Sequence, residues 1–207
     1  MFAISMRVLK DHIYESILLA ARGEFISKGY KDTSMRDIAK KADVGLSNIY
    51  NYFRNKDELY LAIVKPVKDE LFAFITDQHT EESIDTNRMA PMGHNEQAVE
   101  EYISMIGKYE NEFRLLLFHS QGSSMHNFRN ELTDHMTAVS HTYTAFEKKR
   151  FPQAEKVSDF FIHVQASWMV SILGEIVTHN MSKKKIRDFF REYFRYGFAG
   201  WRELTGT

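Results

Sequence analysis

The sequence predicts an all-α protein, and three observations predict it. Apolar residues recur at helical spacing through most of the 207 residues. Strict alternation between turn clusters is missing, as are Asn-Gly and Asp-Gly hairpin turns. Only three prolines interrupt the chain, at 66, 91 and 152, and two of them lie in stretches that lack periodicity.

The first helix is expected over residues 6–28, where Leu9, Ile13, Ile17, Ala20, Ala21 and Phe25 make one stripe and Gly29 follows as a stop. Two short helices follow, over 34–41 and 46–52. A fourth starts after Asn55 and runs toward Gln78, with Pro66 expected to kink or split it near Lys65. Residues 79–95 (HTEESIDTNRMAPMGHN) are polar and aperiodic and read as a loop. The remainder reads as helices over 96–108, 111–120, 124–149, 154–179 and 182–204, with breaks near Tyr109, Gly122, Pro152 and Asn180.

Composition narrows the class. An apolar content of 43% over this length can bury a large core. Cysteine is absent and charge precedes any apolar run near the start, so neither a disulfide scaffold nor secretion is expected, and a cytoplasmic location is. The longest nearly apolar stretch, 167–177, is interrupted by Glu175 and is too short to span a bilayer, so no membrane segment is expected. Charge is uneven: residues 1–56 hold ten Lys/Arg against six Asp/Glu, a net of +4, leaving −5 for the rest. A basic end on an acidic body suits a protein that meets phosphate at one end, and equally a solvated helical face.

The two short helices carry the most information. In the first, Ile38, Ala39 and Ala42 make a buried face whose alanines allow close approach, and Ser34 with Asp37 reads as a capping box. In the second, Leu46, Ile49, Tyr50 and Phe53 recur at i, i+3, i+4 and i+7 and turn inward, which forces Ser47, Asn48, Asn51 and Tyr52 outward. Amides, hydroxyls and a phenol on a short braced helix suit the major groove, where Asn can bridge adenine N6 and N7. Asn55 and Glu58 read as a second capping box, with Lys56 at a positive helix terminus suited to phosphate or simply placed on the surface.

The run from Ile38 to Leu59, IAKKADVGLSNIYNYFRNKDEL, resembles the helix-turn-helix signature of the TetR family of transcriptional regulators, including its closing aromatic pair and lysine-capped helix. The likeness covers roughly residues 10–64. It implies an N-terminal three-helix DNA-binding head (1–55) joined to a larger helical ligand-binding and dimerisation domain (56–207). It implies that the helix from Leu46 to Phe53 enters the major groove, with Ser47, Asn48 and Asn51 nearest the bases. Tyr50, Tyr52 and Lys56 would hold phosphates, and Thr33, Ser34 and Arg36 would make further backbone contacts. Two positions depart from the family pattern: Asp43 stands at a common turn glycine and Gly45 at a common Ser or Thr. Asp tolerates a left-handed backbone and Gly can cap a helix, so the turn should survive.

In the body, the last helix carries Ile186, Phe189, Phe190, Tyr193, Phe194, Gly197 and Trp201 on one stripe, and its predecessor a row of small residues, Ser167, Ser171, Gly174 and Thr178. Periodicity alone favours both helices completing the monomer's own core. The family resemblance implies instead a four-helix homodimer seam through Ser167, Ser171, Gly174, Phe190, Phe194, Gly197 and Trp201, which would let twin heads read a palindromic operator in double-stranded DNA. It also implies a pocket for a largely apolar small molecule within 99–170, where Phe118, His119, His126, Trp168 and Met169 are the nominated residues and Tyr143, His163 and Gln165 add polar groups. No cofactor or metal is expected: the nine histidines fall in no H-E-x-x-H pattern, and nucleophile elbows and phosphate loops are missing, so catalysis has no support. The expected function is a ligand-released repressor. The competing class is a helical ligand-binding or scaffolding protein whose helix-turn-helix no longer binds DNA.

Overall fold

The computed structural model describes residues 2–78, 80 and 96–206, and the described residues form eight helices and no strand. They gather into two compact units: Met1–Lys68 with Asn111–Phe128, and Asp69–Glu110 with Arg129–Thr207. We refer to these as the head and the body. The head thus continues past residue 55, where the sequence placed its limit, and takes in a later stretch of chain. The expected loop at 79–95 lies outside the described residues, Thr80 excepted.

In the head, α1 (Phe2–Asp32) buries Ile17, Ala20, Ala21 and Phe25 on one stripe and breaks at Gly29, whose φ of 76° suits glycine. The break lets the Tyr30 N–H reach the His119 carbonyl at 2.9 Å. Helix α2 (Met35–Lys41) is capped by Ser34, whose Oγ accepts from the Asp37 N–H at 3.1 Å and donates to Asp37 Oδ2 at 2.8 Å. Helix α3 spans Leu46–Tyr50, shorter than expected, and α4 spans Lys56–Asp77. The α4 helix runs unbroken through Pro66: the ring forfeits one backbone hydrogen bond, and buried Val64 and Val67 anchor the flanking turns.

The helices expected over 96–108 and 111–120 are one element, α5 (Glu96–Phe118), interrupted at Tyr109 where φ is −123° and ψ 24°. Residues 119–127 make turns, with Gly122 at φ 86°. Helices α6 (Phe128–Arg150), α7 (Asp159–Thr178) and α8 (Lys183–Thr205) complete the chain. Ser158 and Ser182 cap α7 and α8 by accepting from the Phe161 and Lys185 N–H groups, and Asn180, at φ 47°, turns the chain between them.

By length and composition alone α7 passes for a membrane span, as the core helix of a soluble protein also does. The sequence window had begun at Ser167, whereas the helix starts at Asp159 and gains two phenylalanines, Ile162 and Val164. Its Ile162, Ala166, Val170, Leu173, Ile176 and Val177 are nevertheless buried within the body, as in a core helix.

Candidate nucleic-acid interface and ligand cavity

The head is built around aromatic packing. Phe25, Tyr30 and Tyr60 form a triangle with centroid separations of 5.1 to 5.9 Å, and the buried Tyr60 hydroxyl donates to the Leu115 carbonyl at 3.1 Å. Burial pushes the Tyr60 phenol up, so it stays a donor. Glu24 on α1 faces Lys28 Nζ at 2.7 Å and Lys41 Nζ at 3.0 Å, and Lys28 lies 3.7 Å from Asp37, which ties α1 to α2. Those hydrogen bonds, Lys28 first and Lys41 second, hold the Glu24 carboxyl below its ordinary range.

On this base the turn from α2 to α3 is made by Asp43, at φ 54°, and Gly45, which caps α3 at φ −64° and ψ 143°. The Val44 N–H closes the turn on the Ala39 carbonyl at 3.1 Å. Ile49 is fully buried and Phe53 nearly so, with Phe53 stacked on Tyr14 at 5.4 Å. These two anchors hold α3 with Ser47, Asn48 and Asn51 exposed. Periodicity had turned Tyr50 inward; it is 50% exposed, because the helix ends there and Ile49 and Phe53 already fill the inner face. Leu46 is half-buried, and Tyr52, expected outside, is half-buried with its ring 5.9 Å from Tyr14.

The residues flanking α3 divide by surroundings. Ser34 and Arg36 are exposed, as are Lys40 and Arg54. Thr33 is buried, and its hydroxyl donates to the Gly29 carbonyl at 2.7 Å, so its side chain secures the end of α1. Asn55 caps α4 by accepting from the Glu58 N–H at 2.8 Å, while Glu58 accepts from the Arg54 N–H at 2.7 Å. Lys56 does not reach outward. Its ammonium donates to the carbonyls of Tyr30, Thr33 and Lys31 at 2.7, 2.8 and 3.3 Å and lies 4.2 Å from the Tyr30 ring centroid. Three N–H donors meet three acceptors, and burial pulls the lysine pKa below its usual value while Asp32 opposes that.

The body holds a cavity of about 280 Å³. Its walls come from α4 (Leu71, Phe74, Ile75), α5 (Tyr102), α6 (Met136, Tyr143), α7 (Gln165, Met169) and α8 (Tyr193, Phe194, Gly197, Trp201). Trp201 Nε1 donates to Glu147 Oε1 at 2.8 Å. Burial pushes the Glu147 carboxyl up, against the Trp201 bond, and pushes the Tyr143 and Tyr193 phenols up to about 12. Of the nominated ligand residues, Met169 lines this space. Phe118, His119 and His126 belong to the head: the His119 carbonyl accepts from Tyr30, and His126 Nδ1 lies 3.0 Å from the Ser123 carbonyl. Trp168 lies on the outer side of α7, 42% exposed, because one residue of helix turns it about 100° from Met169.

The seam residues also separate. Phe190 is 1% exposed and packs edge-on to Tyr102 at 5.2 Å, while Phe194, Gly197 and Trp201 are half-buried and line the cavity. Gly174 is buried, Ser171 half-buried and Ser167 exposed. The apolar surface left outside is a different set: Phe160, Val164 and Trp168 on α7 with Tyr196 and Leu204 on α8, where Trp168 packs against Tyr193 and Tyr196 at 5.2 and 6.2 Å. Sequence reasoning missed it because the more hydrophobic stripe of α8 drew the assignment.

The head thus holds a helix-turn-helix and the body an aromatic cavity. Residues 17–63 match the model for bacterial regulatory proteins of the tetR family. The chain is 44% identical over 55 residues to YhgD, an HTH-type transcriptional regulator of Bacillus subtilis, and 35% identical over 65 residues to FasR, an HTH-type transcriptional activator of Mycolicibacterium smegmatis. Those stretches cover 27% and 31% of this chain, and only 29% and 30% of the relatives' own length. In fold the likeness extends across the chain: the Pseudomonas aeruginosa repressor NalD superposes with a TM-score of 0.65 at 15% identity, covering 90% of this chain and 95% of that one. A tetR-family regulator from Rhodococcus RHA1 gives 0.62 at 18% identity, covering 89% and 94%. Residues 17–63 thus resemble the N-terminal part of tetR-family regulators, and the chain as a whole shares the fold of the solved relatives.

Proposed function

We propose that this protein is a cytoplasmic homodimeric repressor that binds a palindromic operator through α3 and leaves it when a small molecule occupies the body cavity. The observation that carries the reading is the α3 surface. A helix anchored by Ile49 and Phe53 has no packing use for Ser47, Asn48 and Asn51, yet all three point outward on a head that matches the family in sequence. Asn48 and Asn51 are the base readers, Ser47 supports them, and Tyr50, Ser34 and Arg36 take phosphates. Lys56, bonded to three carbonyls, acts by holding the end of α1 against the start of α4.

Dimerisation supplies the second reading head, and the exposed α7 and α8 surface of Phe160, Val164, Trp168, Tyr196 and Leu204 is its seam. Control follows from linkage: ligand can shift operator affinity only by its differential affinity for two arrangements of the chain. NalD is a secondary repressor of a multidrug efflux pump, whereas FasR is named an activator, so the direction of control rests on the whole-chain likeness in fold to the former.

Selection from random duplex DNA at several salt concentrations tests this. A regulator enriches an inverted repeat and weakens log-linearly with salt. Failure to enrich any motif favours the reading in which the helix-turn-helix is only structural, for which exposed Asp43 beside α3 is the supporting feature.

A further inference from the structure

We propose that the body cavity takes an uncharged lipophilic molecule and rejects an ion built on the same skeleton. The inference rests on reading that cavity as the ligand site and adds the chemistry it selects. None of the described residues lining it carries a formal charge. Its polar groups are neutral donors and acceptors: the amides of Gln78 and Gln165, the hydroxyls of Ser140 and Thr144, and the phenols of tyrosines that burial keeps protonated.

An anion entering this space gives up its hydration without meeting a cation. It also meets the rings of Phe74, Phe194 and Trp201, which offer it no compensating charge. A cation is drawn to aromatic faces as a class, but the Glu147 carboxyl is already hydrogen-bonded to Trp201 and does not line the cavity. A neutral ligand loses little water and can exchange one or two hydrogen bonds with an amide or phenol.

Gly197 gives the test its control. It lines the cavity from within α8, and a Cβ there meets no atom within 4 Å, so this wall has open room for the start of a side chain. Leucine is also the better helix former at that position.

The experiment is isothermal titration of the full chain at neutral pH with decanol, decanoate and decylammonium, repeated on Gly197→Leu after a thermal melt has shown that variant folded. Decanol is expected to bind at least about tenfold more tightly than either ion, and Gly197→Leu to lose at least about tenfold in decanol affinity. If decanoate or decylammonium binds as tightly as decanol and Gly197→Leu still blocks it, the charge selection is overturned while the cavity remains a ligand site. If none of the three binds, or if binding is indifferent to Gly197→Leu, the ligand-site reading falls and takes this proposal with it.

Discussion

The head and the body turn their informative side chains in opposite directions. In the head, two apolar anchors pin a short helix so that its amides and hydroxyls face out; in the body, a long helix turns its aromatic stripe in, around empty space. Both patterns come from the same helical period, which records which face is buried and says nothing of what lies against it. In the head the partner of the exposed face is supplied by chemistry, since Asn and Ser in that density suit base edges. In the body an aromatic stripe suits a core, a cavity wall or a subunit seam equally well, and only the positions of the other helices decide among them.

Substitutions sharpen this contrast. The largest effect is expected from Ile49→Ala, which removes the fully buried anchor of α3 and should cost the head about 2–5 kcal/mol. Chemical denaturation reads the loss directly, and duplex binding should fall with it. Lys56→Met follows: three carbonyls lose their donor, at a cost of about 1–3 kcal/mol, and all duplexes weaken alike. Weaker affinity with unchanged stability would instead put the ammonium on a phosphate.

Asn51→Ala separates reading from folding. The side chain is exposed, so stability should move by less than about 0.5 kcal/mol, while preference at one base pair relaxes by about 1–3 kcal/mol in a repeat of the duplex selection. The smallest effect is electrostatic. A carboxyl whose folded pKa is depressed, as for Glu24, stabilises the fold fully above its unfolded value and loses that contribution as pH falls through the folded one. Head stability should therefore decline as pH drops below about 4.5, the ordinary value for that group, and Glu24→Gln should flatten the slope in pH-dependent denaturation.

How much of this was legible in the sequence follows the same division. The helix breaks at Gly29 and Asn180 are each visible as a residue type with a backbone consequence, and the N-caps Ser34 and Asn55 announced themselves by spacing, although Asp37 and Glu58 do not close the reciprocal bond to the N-cap N–H. The α3 surface was legible because Ile49 and Phe53 had to be inside. Lys56 was legible only as a helix-terminal lysine, since nothing in a linear sequence places the Tyr30, Lys31 and Thr33 carbonyls beside it. Trp168 and Met169 differ by one position, and choosing which of them meets the cavity required knowing where α4, α5 and α6 pack. Of the polar groups that stood out in the apolar stretch, Tyr143 and Gln165 line the cavity, as the nominated Met169 does, whereas His163 is exposed.

Oxidative footprinting by hydroxyl radicals, with and without a selected duplex, tests the central claim most directly, because exposed aromatic side chains lie on both regions. Tyr50 on α3 is 50% exposed, and Phe151, between α6 and α7 and outside the proposed seam, is 37% exposed. We expect saturating duplex to suppress oxidation of Tyr50 several-fold and to leave Phe151 at its DNA-free rate. Unchanged oxidation of Tyr50 on a chain demonstrably bound to duplex would contradict the account, since DNA would then sit somewhere other than against α3.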